Sequence, residues 1–354
     1  MKQKKATKQK LTIKDIARKA GVSVTTASFV LNNREEAYGI KKETADRVRQ
    51  VIKDLKFRPN YGARILKTGR SHTLAFIAPS ITDGFYNDIV VAIETAALKA
   101  GYQLVLCNSL DNVATEEIYL KNLIERQVDG IILVPTNPAA DHLDLLKQAQ
   151  IKTILFCPPE PATSKFYCVD FDLPAAPWLA VEHLLEQNCK RIVLLDWRPT
   201  RPRASSWARN RTILRSVFLK ALRKHGIQSG KENFWPLFGE EENPQDAANF
   251  KKRLNEQKPD AIIAMRDIQL LRAWKPLMET GLSVPGDIRL VGCDDIRASQ
   301  YWYPALTSID MPKAELGEHA VKVLLDETIQ NGSRIFPIEL IPRASSTGHP
   351  TASA

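Results

Sequence analysis

Residues 12 to 33 read TIKDIARKAGVSVTTASFVLNN and contain two short helical patterns around a Gly-Val-Ser corner. Thr12 can cap the first helix, Gly21 permits the tight corner, and Ser23 can cap a second helix that runs to Leu31. The apolar face of the first helix consists of Ile13, Ile16, Ala17 and Ala20. The spacing therefore predicts a compact helical hairpin at the start of the chain.

The second helix of this hairpin divides its residues between an inner and an outer face. The inner residues are Ala27, Val30 and Leu31, and the outer residues are Val24, Thr25, Ser28 and Phe29. A third helical pattern from about Lys42 to Lys56 would close a small core. Such a module presents the start of its second helix to the major groove of DNA. Helix hairpins are common, so the geometry alone does not establish that this segment binds DNA.

Charge supports DNA as the partner of this segment. Residues 1 to 70 hold 12 Lys and 7 Arg against 3 Asp and 3 Glu, a net charge of +13, whereas the whole chain carries +10. A basic head on a mildly acidic body is typical of a polyanion-binding module attached to an ordinary domain. Residues 1 to 10 lack apolar periodicity, and we expect a basic tail that is disordered until it meets its partner.

The cysteines and the hydropathy predict a cytoplasmic protein, and binding of DNA by the basic head would associate it with the nucleoid. The five cysteines form no CxxC pair and sit mostly in strand-like apolar runs, so we expect buried, reduced thiols. The N-terminal lysines precede no apolar run of a secretory signal, and no stretch has the length of a membrane span.

From about residue 71 the sequence alternates short apolar runs with helix-length amphipathic segments. HTLAFIAPS, YQLVLCNS, GIILVPT and KTILFCPP form one series, and KRIVLLDW, DAIIAM and IRLVGCDD form a second. This alternation predicts α/β units with parallel sheets covered by helices. We expect two lobes with a cleft between them, the first at about 71–170 and 303–334 and the second at about 171–302 and 335–346, followed by a tail at 347–354.

The head at 11–58 and the body at 71–346 are joined by a linker at 59–70. Pro59 ends the preceding helical pattern, and Asn60 can cap a new helix that runs to about Lys67. A helix of this length is not stable alone in water. We therefore expect a hinge helix that forms only when the linker docks.

The pattern of the head, with ADRVRQVIKDLKFRPNYGARILKTGR after it, resembles the LacI/GalR family of bacterial transcription regulators. The resemblance extends over nearly the whole chain, including LIERQVDGIIL, VPGDIRLVGCDD, PALTSIDMPKAELGEHAVKVLL and PRASSTG. The longer loop in TTASFVLNNREEAYGI, with Tyr38, is similar to the fructose- and sucrose-repressor branch. The resemblance implies a three-helix helix-turn-helix head, a hinge helix, and a two-lobed body like that of periplasmic binding proteins.

The resemblance also assigns residues to DNA. It implies a homodimer, or a tetramer, whose heads read a palindromic operator while paired hinge helices insert a leucine, here Leu66, into the minor groove. Ordinary packing of Leu66 against the body is the alternative. The other hinge residues implied at the DNA are Asn60, Ala63 and Arg64. The residues implied at phosphates are Thr12, Ser23, Thr26 and Asn32.

The base-reading positions of the second helix carry Val24, Thr25, Ser28 and Phe29, with Tyr38 in the loop that follows. Apolar groups can contact thymine methyls but cannot make the bidentate contact of arginine with guanine. We therefore predict outer half-site bases that favour A and T. Phe29 could instead belong to the core of the head.

The body is expected to bind a small effector, a sugar or a sugar phosphate, between its lobes. The resemblance places Asp83, Phe85, Tyr86 and Asp294 in the cleft, where carboxylates and aromatic faces suit a sugar. Core packing of the two aromatic residues and a turn role for Asp294 are the alternatives. Other effector motifs of the family are broken, because CPPEP and Leu214 stand where relatives carry polar residues.

Six arginines between residues 198 and 215 are unusual in this context: Arg198, Arg201, Arg203, Arg209, Arg211 and Arg215. Together with Arg266, which replaces a frequent asparagine, they could bind an anionic effector such as a phosphosugar. A solvated loop and helix face is the alternative. From this set we select Arg211, Arg215 and Arg266 for the predicted effector site.

The sequence thus indicates a repressor of carbohydrate-metabolism genes that uses double-stranded DNA and a small effector as partners. We predict no catalytic residue, metal or cofactor, because the phosphate-loop, nucleophile-elbow and zinc-helix motifs are missing from the sequence. A solute-binding protein without regulatory work and a recombinase-like DNA enzyme are the alternatives.

Overall fold

The computed structural model describes residues 11–57, 69–81, 84–196, 206–238, 243–329 and 331–347, without the side chains of 206–209. The chain divides into two compact units, Met1–Ser71 and His72–Ala354. The hinge helix predicted at 59–70 falls almost entirely outside the described residues, as do the two predicted tails.

The first unit contains three helices around a small core. The helices are α1 (Ile13–Ala20), α2 (Val24–Leu31) and α3 (Lys42–Asp54), with a 3-10 turn at Glu36–Tyr38. The buried core consists of Ile16, Ala17, Ala20, Ala27, Val30, Ala45 and Val48. Gly21 ends α1 at a φ of 64°, a left-handed conformation that glycine adopts without strain. The sequence predicted this corner.

The first lobe of the second unit is built on a six-stranded sheet in the order β11-β5-β4-β3-β1-β2, in which all pairs are parallel. Its strands are β1 (Thr73–Ala78), β2 (Gln103–Asn108), β3 (Gly130–Leu133), β4 (Thr153–Phe156), β5 (Tyr167–Phe171) and β11 (Gly332–Phe336). Its helices are α4 (Gly84–Lys99), α5 (Val113–Glu125), α6 (Asp144–Gln148) and α12 (Lys313–Leu325), with 3-10 turns at Asp141–Leu143 and Pro161–Thr163.

The second lobe has a sheet in the order β12-β10-β9-β8-β6-β7, parallel except for β12 against β10. Its strands are β6 (Ile192–Leu195), β7 (Phe234–Trp235), β8 (Ala261–Ala264), β9 (Arg289–Cys293), β10 (Thr307–Asp310) and β12 (Glu339–Ile341). Its helices are α7 (Ala176–Glu186), α8 (Ser206–Lys224), α9 (Pro244–Gln257), α10 (Asp267–Met278), α11 (Arg297–Tyr301) and α13 (Ala344–Thr347), with 3-10 turns at Leu173–Ala175 and Lys231–Asn233.

The return of the chain to the first lobe corrects the boundary predicted from the sequence. We expected residues 303–334 in the first lobe, but Thr307–Asp310 pairs with β9 in the second sheet. The chain therefore crosses after β10, immediately before α12. Its last crossing lies between Phe336 and Glu339, slightly later than the predicted residue 335. The alternation of apolar runs could not show which sheet β10 joins, because both sheets bury the same residue types.

The burial of the strands follows from the parallel arrangement, in which helices cover both faces. β3, β4, β6 and β8 are buried along their whole length. All five cysteines are buried and unpaired. Among the described residues no helix is both long and apolar enough to cross a bilayer.

A buried hydrogen-bond network fixes one end of the first lobe. Glu116 on α5 is fully buried, and its carboxylate accepts hydrogen bonds from the Thr136 backbone N–H at 2.8 Å and hydroxyl at 2.7 Å. Its other oxygen lies 2.6 Å from Nε2 of His142. These hydrogen bonds tie α5 to the segment that follows β3.

Replacement of Glu116 by glutamine should destabilise the protein, because it disrupts a fully buried hydrogen-bond network around a carboxylate. We expect the free energy of unfolding to fall by about 3 kcal/mol. The matched control is Glu117→Gln, which removes only an exposed i,i+4 pair with Lys121 and should leave the free energy of unfolding nearly unchanged. Urea unfolding followed by circular dichroism measures both, and equal losses would refute the structural role of Glu116.

Candidate functional site

The start of α2 is held by its own polar side chains and leaves a small surface open to solvent. The Ser23 hydroxyl accepts a hydrogen bond from the Thr26 backbone N–H at 3.0 Å and lies 2.9 Å from the Thr26 hydroxyl. Val24 is 43% exposed, Thr25 is also exposed, and Ser28 is half-buried. The first turn of α2 therefore presents one apolar and one hydroxyl-bearing side chain side by side.

Phe29 and Tyr38 form a stacked aromatic pair beside this surface. Their ring centroids lie 3.6 Å apart with an interplanar angle of 13°. Phe29 is half-buried under Tyr38, whose side chain is 55% exposed. Glu35 forms an ion pair with Arg49, which anchors the intervening loop to α3. Phe29 is thus outside the buried core of the head, and Tyr38 extends the exposed face of α2.

Two further predicted phosphate contacts, Thr12 and Asn32, already take part in local hydrogen bonds. The Asp15 carboxylate accepts from the Thr12 hydroxyl at 2.8 Å and from its backbone N–H at 3.0 Å. These hydrogen bonds hold the pKa of Asp15 below its usual value. The Asn32 side-chain amide donates one N–H to the Ser28 backbone carbonyl at 2.7 Å. Its other N–H takes no part in this hydrogen bond and can donate to a phosphate. To donate to a phosphate, the Thr12 hydroxyl would have to turn away from Asp15.

Several predicted site residues lie outside the described residues. These are the hinge residues Asn60, Ala63, Arg64 and Leu66, the cleft residue Asp83, and the arginines Arg198, Arg201 and Arg203. Arg209 is described only by its backbone in α8.

Within the second unit, a cavity of about 100 Å³ lies between the two lobes. The structure brings six of the seven predicted effector residues to its wall: Phe85, Tyr86, Arg211, Arg215, Arg266 and Asp294. The first lobe contributes mainly aromatic and apolar side chains. The second lobe contributes the arginines, which gives the cavity one apolar wall and one charged wall.

A carboxylate that was not predicted from the sequence organises the first pair of arginines. Asp196 directly follows β6 and is 2% exposed. It accepts a hydrogen bond from Nε of Arg211 at 2.9 Å and further ones from the Nη2 groups of Arg211 and Arg215. The Arg215 guanidinium also lies over the Phe234 ring, 4.6 Å from its centroid. Two arginines therefore share one carboxylate, and one positive charge remains in excess.

A further ion pair, between Arg266 and Asp294, lies at the end of β9. The backbone there adopts left-handed conformations at Asp294 and Asp295. Arg266 Nε donates to Asp294 Oδ2 at 3.1 Å, and the Lys313 ammonium donates to the Asp294 backbone carbonyl. Arg343 binds Asp295 through two hydrogen bonds of 2.6 and 2.8 Å. Asp294 is therefore both a strand-end turn residue and part of the cavity wall.

The fully buried Asp267 supports this turn from behind. Its carboxylate accepts hydrogen bonds from the Ile296 N–H at 3.0 Å, the Ser299 hydroxyl at 2.6 Å and the Ser308 hydroxyl at 2.7 Å. Burial, and then the negative charge of Asp294, raises the pKa of Asp267 to about 7. A Cβ at Gly292 would lie 1.9 Å from its Oδ1, so only glycine allows β9 to pass this close.

Asp170 is a cavity residue that sequence reasoning missed. It lies on β5, lines the cavity, and accepts the Phe171 backbone N–H at 2.9 Å. Burial raises its pKa to about 7. The only signal in the sequence is one acidic residue inside the strand-like run FYCVDF.

Comparisons with known proteins agree with both units. Residues 12–60 match the model for bacterial regulatory proteins of the lacI family, and residues 181–346 match that for a periplasmic binding protein-like domain. The repressor PurR of Photobacterium profundum is 30% identical over 343 residues, which cover 94% of this chain and 98% of the relative. The chain belongs to the lacI family.

Other similar proteins extend this LacI-family assignment. PurR of Haemophilus influenzae (strain PittEE) is 32% identical over 346 residues, covering 94% of this chain and 98% of the relative. The lac repressor dimer bound to operator and the anti-inducer ONPF superimposes with a TM-score of 0.79 at 25% identity, covering 96% and 99% of the two chains. A LacI-family regulator from Enterococcus faecium with bound ribose gives 0.64 at 25% identity, covering 77% and 98%.

The exposed side chains of α2 predict the base preference of this LacI-family protein. Selection of binding sites from random duplex DNA should return a palindrome whose outer half-site bases favour A and T, because valine, threonine and phenylalanine offer thymine methyls apolar contacts. Replacement of Val24 by arginine should shift the selected bases at one position towards guanine. An outer motif dominated by guanine for the unaltered protein would contradict the prediction.

The raised pKa of Asp170 predicts a pH-dependent contribution to stability. Because the folded pKa of about 7 exceeds the usual value of 3.8, the contribution of Asp170 is present at acid pH and is lost as the pH rises to about 7. Asp170→Asn should therefore flatten the pH profile of the unfolding free energy between about pH 4 and pH 7. The exposed Asp172, changed to asparagine, should keep the original profile; identical profiles for all three proteins would refute the prediction.

Proposed function

We propose that this protein represses transcription by binding a palindromic operator as a homodimer, and that a small carbohydrate between its lobes controls operator affinity. The observation that carries the proposal is the exposed first turn of α2, with Val24 and Thr25, in an N-terminal segment, residues 1–70, of net charge +13. Because the relatives named above are transcriptional repressors, we expect this protein to lower transcription of its target genes. We place the protein in the cytoplasm, associated with the nucleoid, and its targets among genes of carbohydrate metabolism.

In the proposed complex, α2 lies in the major groove. Val24, Thr25, Ser28 and Phe29 face the bases, and Tyr38 extends this contact through its stack on Phe29. Ser23, Thr26, Thr12 and Asn32 face the phosphates around the helix. The hinge residues Asn60, Ala63, Arg64 and Leu66 enter the minor groove, where Leu66 unstacks the central base step, as the family resemblance implies.

An exposed apolar surface on the first lobe supports a second copy of the chain as partner. Its residues are Val91, Leu98, Val105, Leu106, Leu110 and Ile118, each at least 39% exposed. They lie on α4, on β2, just after β2 and on α5, and β2 is an edge strand of its sheet. Exposed apolar side chains in such number are typical of an association surface. A two-fold dimer then matches a palindromic operator.

The cavity supplies the proposed site of control. Asp294 with Arg266 and the two arginines on Asp196 offer donors and acceptors to a hydroxylated ligand, and the surplus charge beside Asp196 suits a phosphate. Arg297 reaches across the cleft to Asp88, with Nε 3.3 Å from Oδ1. A ligand that changes the closure of the lobes would change how readily the two hinges pair. The affinity for the operator and the affinity for the ligand are then coupled reciprocally.

The proposal is tested by fluorescence anisotropy with the full-length protein and a duplex recovered by selection. We expect preferential binding of this duplex over a scrambled one, and a loss of about 10³-fold in affinity between roughly 50 and 200 mM salt, because phosphate contacts release counterions. Val24→Glu should abolish the preference. Met278→Glu, which changes a similarly exposed apolar residue of α10, should retain it.

Absence of preference for any duplex at moderate salt, with candidate carbohydrates both present and absent, would refute the proposed function. Cleavage of plasmid DNA in the presence of divalent metal would instead favour a DNA-acting enzyme.

A further inference from the structure

The helix α2, which the proposed complex places in the major groove, carries no charged and no amide side chain. Its sequence from Val24 to Leu31 is VTTASFVL. Arginine reads guanine, asparagine or glutamine reads adenine, and a carboxylate reads cytosine through hydrogen bonds that none of these side chains can make. The groups that α2 can offer to a base edge are therefore methyl groups, one phenyl ring and hydroxyl groups.

The outward groups of α2 lie next to one another on the helix. Val24 is 43% exposed, Thr25 is exposed, and Phe29, one helical turn after Thr25, is half-buried. Among the described residues, none forms a hydrogen bond with the Thr25 hydroxyl. Ala27 and Val30 lie in the core of the head and fix which face of α2 points outward. The outward face is thus mainly apolar, with one hydroxyl group available.

Tyr38 holds the ring of Phe29 in place from the following loop. The two ring centroids lie 3.6 Å apart, and the rings are nearly parallel, with an interplanar angle of 13°. The loop begins with a hydrogen bond from the Arg34 backbone N–H to the Phe29 carbonyl at 2.9 Å. It is then fixed to α3 by the ion pair of Glu35 with Arg49. The stacked rings therefore form a supported apolar surface beside the first turn of α2.

A surface of this composition can detect the substituent at C5 of a pyrimidine. In the major groove, thymine shows a C5-methyl group and a carbonyl acceptor at C4, whereas cytosine shows an amino donor at C4. Val24 and Phe29 can pack on the methyl group but have nothing that distinguishes the two C4 groups. The Thr25 hydroxyl can donate to the carbonyl or accept from the amino group. To this surface, 5-methylcytosine therefore resembles thymine.

We propose that the head recognises the C5-methyl group of pyrimidines, in thymine and in 5-methylcytosine alike, and that cytosine methylation at these positions therefore raises its affinity for DNA. The inference rests on the proposed function, since it names the chemical group that the same surface reads. The net charge of +13 in residues 1–70 suits DNA as the occupant. Val24 and Phe29 make the contact, and Tyr38 is a positioning residue that supports the ring of Phe29.

Fluorescence anisotropy with modified duplexes tests the inference. In a duplex recovered by selection, each outer thymine is replaced in both half-sites by uracil, and in further duplexes the T·A pair is replaced by C·G or by 5-methylcytosine·G. Uracil differs from thymine only by the missing methyl group. At the contacted position we expect uracil to weaken binding roughly 15-fold, about 4-fold per half-site, the factor for burial of one methyl group. The duplex with 5-methylcytosine should bind more tightly than that with cytosine by the same roughly 15-fold factor.

Protein variants assign the contact to this surface. Val24→Ala and Tyr38→Ala should each lower the thymine-to-uracil and the 5-methylcytosine-to-cytosine affinity ratios, while the salt dependence of binding stays the same because phosphate contacts are untouched. Tyr38→Phe keeps the stacked ring and should keep both ratios. The matched control is Tyr301→Ala, which changes an 86% exposed tyrosine of the second unit and should also keep them.

The inference is overturned by a selected duplex without outer thymines, or by equal affinities for thymine and uracil at every outer position. It is also overturned when 5-methylcytosine binds no better than cytosine, or when both ratios persist in Val24→Ala and Tyr38→Ala. A protein that selects a duplex but ignores the methyl groups refutes only the methyl reading. A protein that selects no duplex refutes the proposed function.

Discussion

The hydrogen bonds of the buried Asp267 carboxylate hold together the part of the second lobe that faces the first. They join the start of α10 to the Ile296 N–H, to Ser299 on α11 and to Ser308 on β10. The carboxylate lies so close to β9 that a side chain at Gly292 would collide with it. Asp294 and Arg297 lie within this framework, so the charged wall of the cavity and the ion pair across the cleft both depend on it.

Charge pairing gives the cavity its chemical character. The arginines of the second lobe are largely compensated by Asp196 and Asp294, which fixes their side chains before a ligand arrives and reduces the cost of ordering them. Among the described residues that line the cavity, the first lobe offers aromatic faces and the carboxyl group of Asp170. Under the proposed function, a ligand that contacts both walls would favour closure of the lobes, and this closure would alter operator affinity.

Local patterns predicted the elements, and tertiary contacts decided what the patterns could not. The corner at Gly21, the cap at Ser23 and the alternation of the body follow from turn chemistry and periodicity, which act over a few residues. The pairing of β10 with β9 was missed, because strand partners are chosen by long-range packing. Six effector residues selected from the sequence line one cavity. Asp170 and Asp196 were missed, since a single acidic residue in or after a strand gives no spacing to recognise.

Control of DNA binding by cleft closure can be measured without a known effector. Asp88 and Arg297 face each other across the cleft, so cysteines at both positions can be joined by a short bis-maleimide while the five native cysteines stay buried. If closure of the cleft controls DNA binding, cross-linking should change operator affinity at least about tenfold relative to the same variant without the cross-link. Equal operator affinities of the linked and unlinked proteins would contradict it.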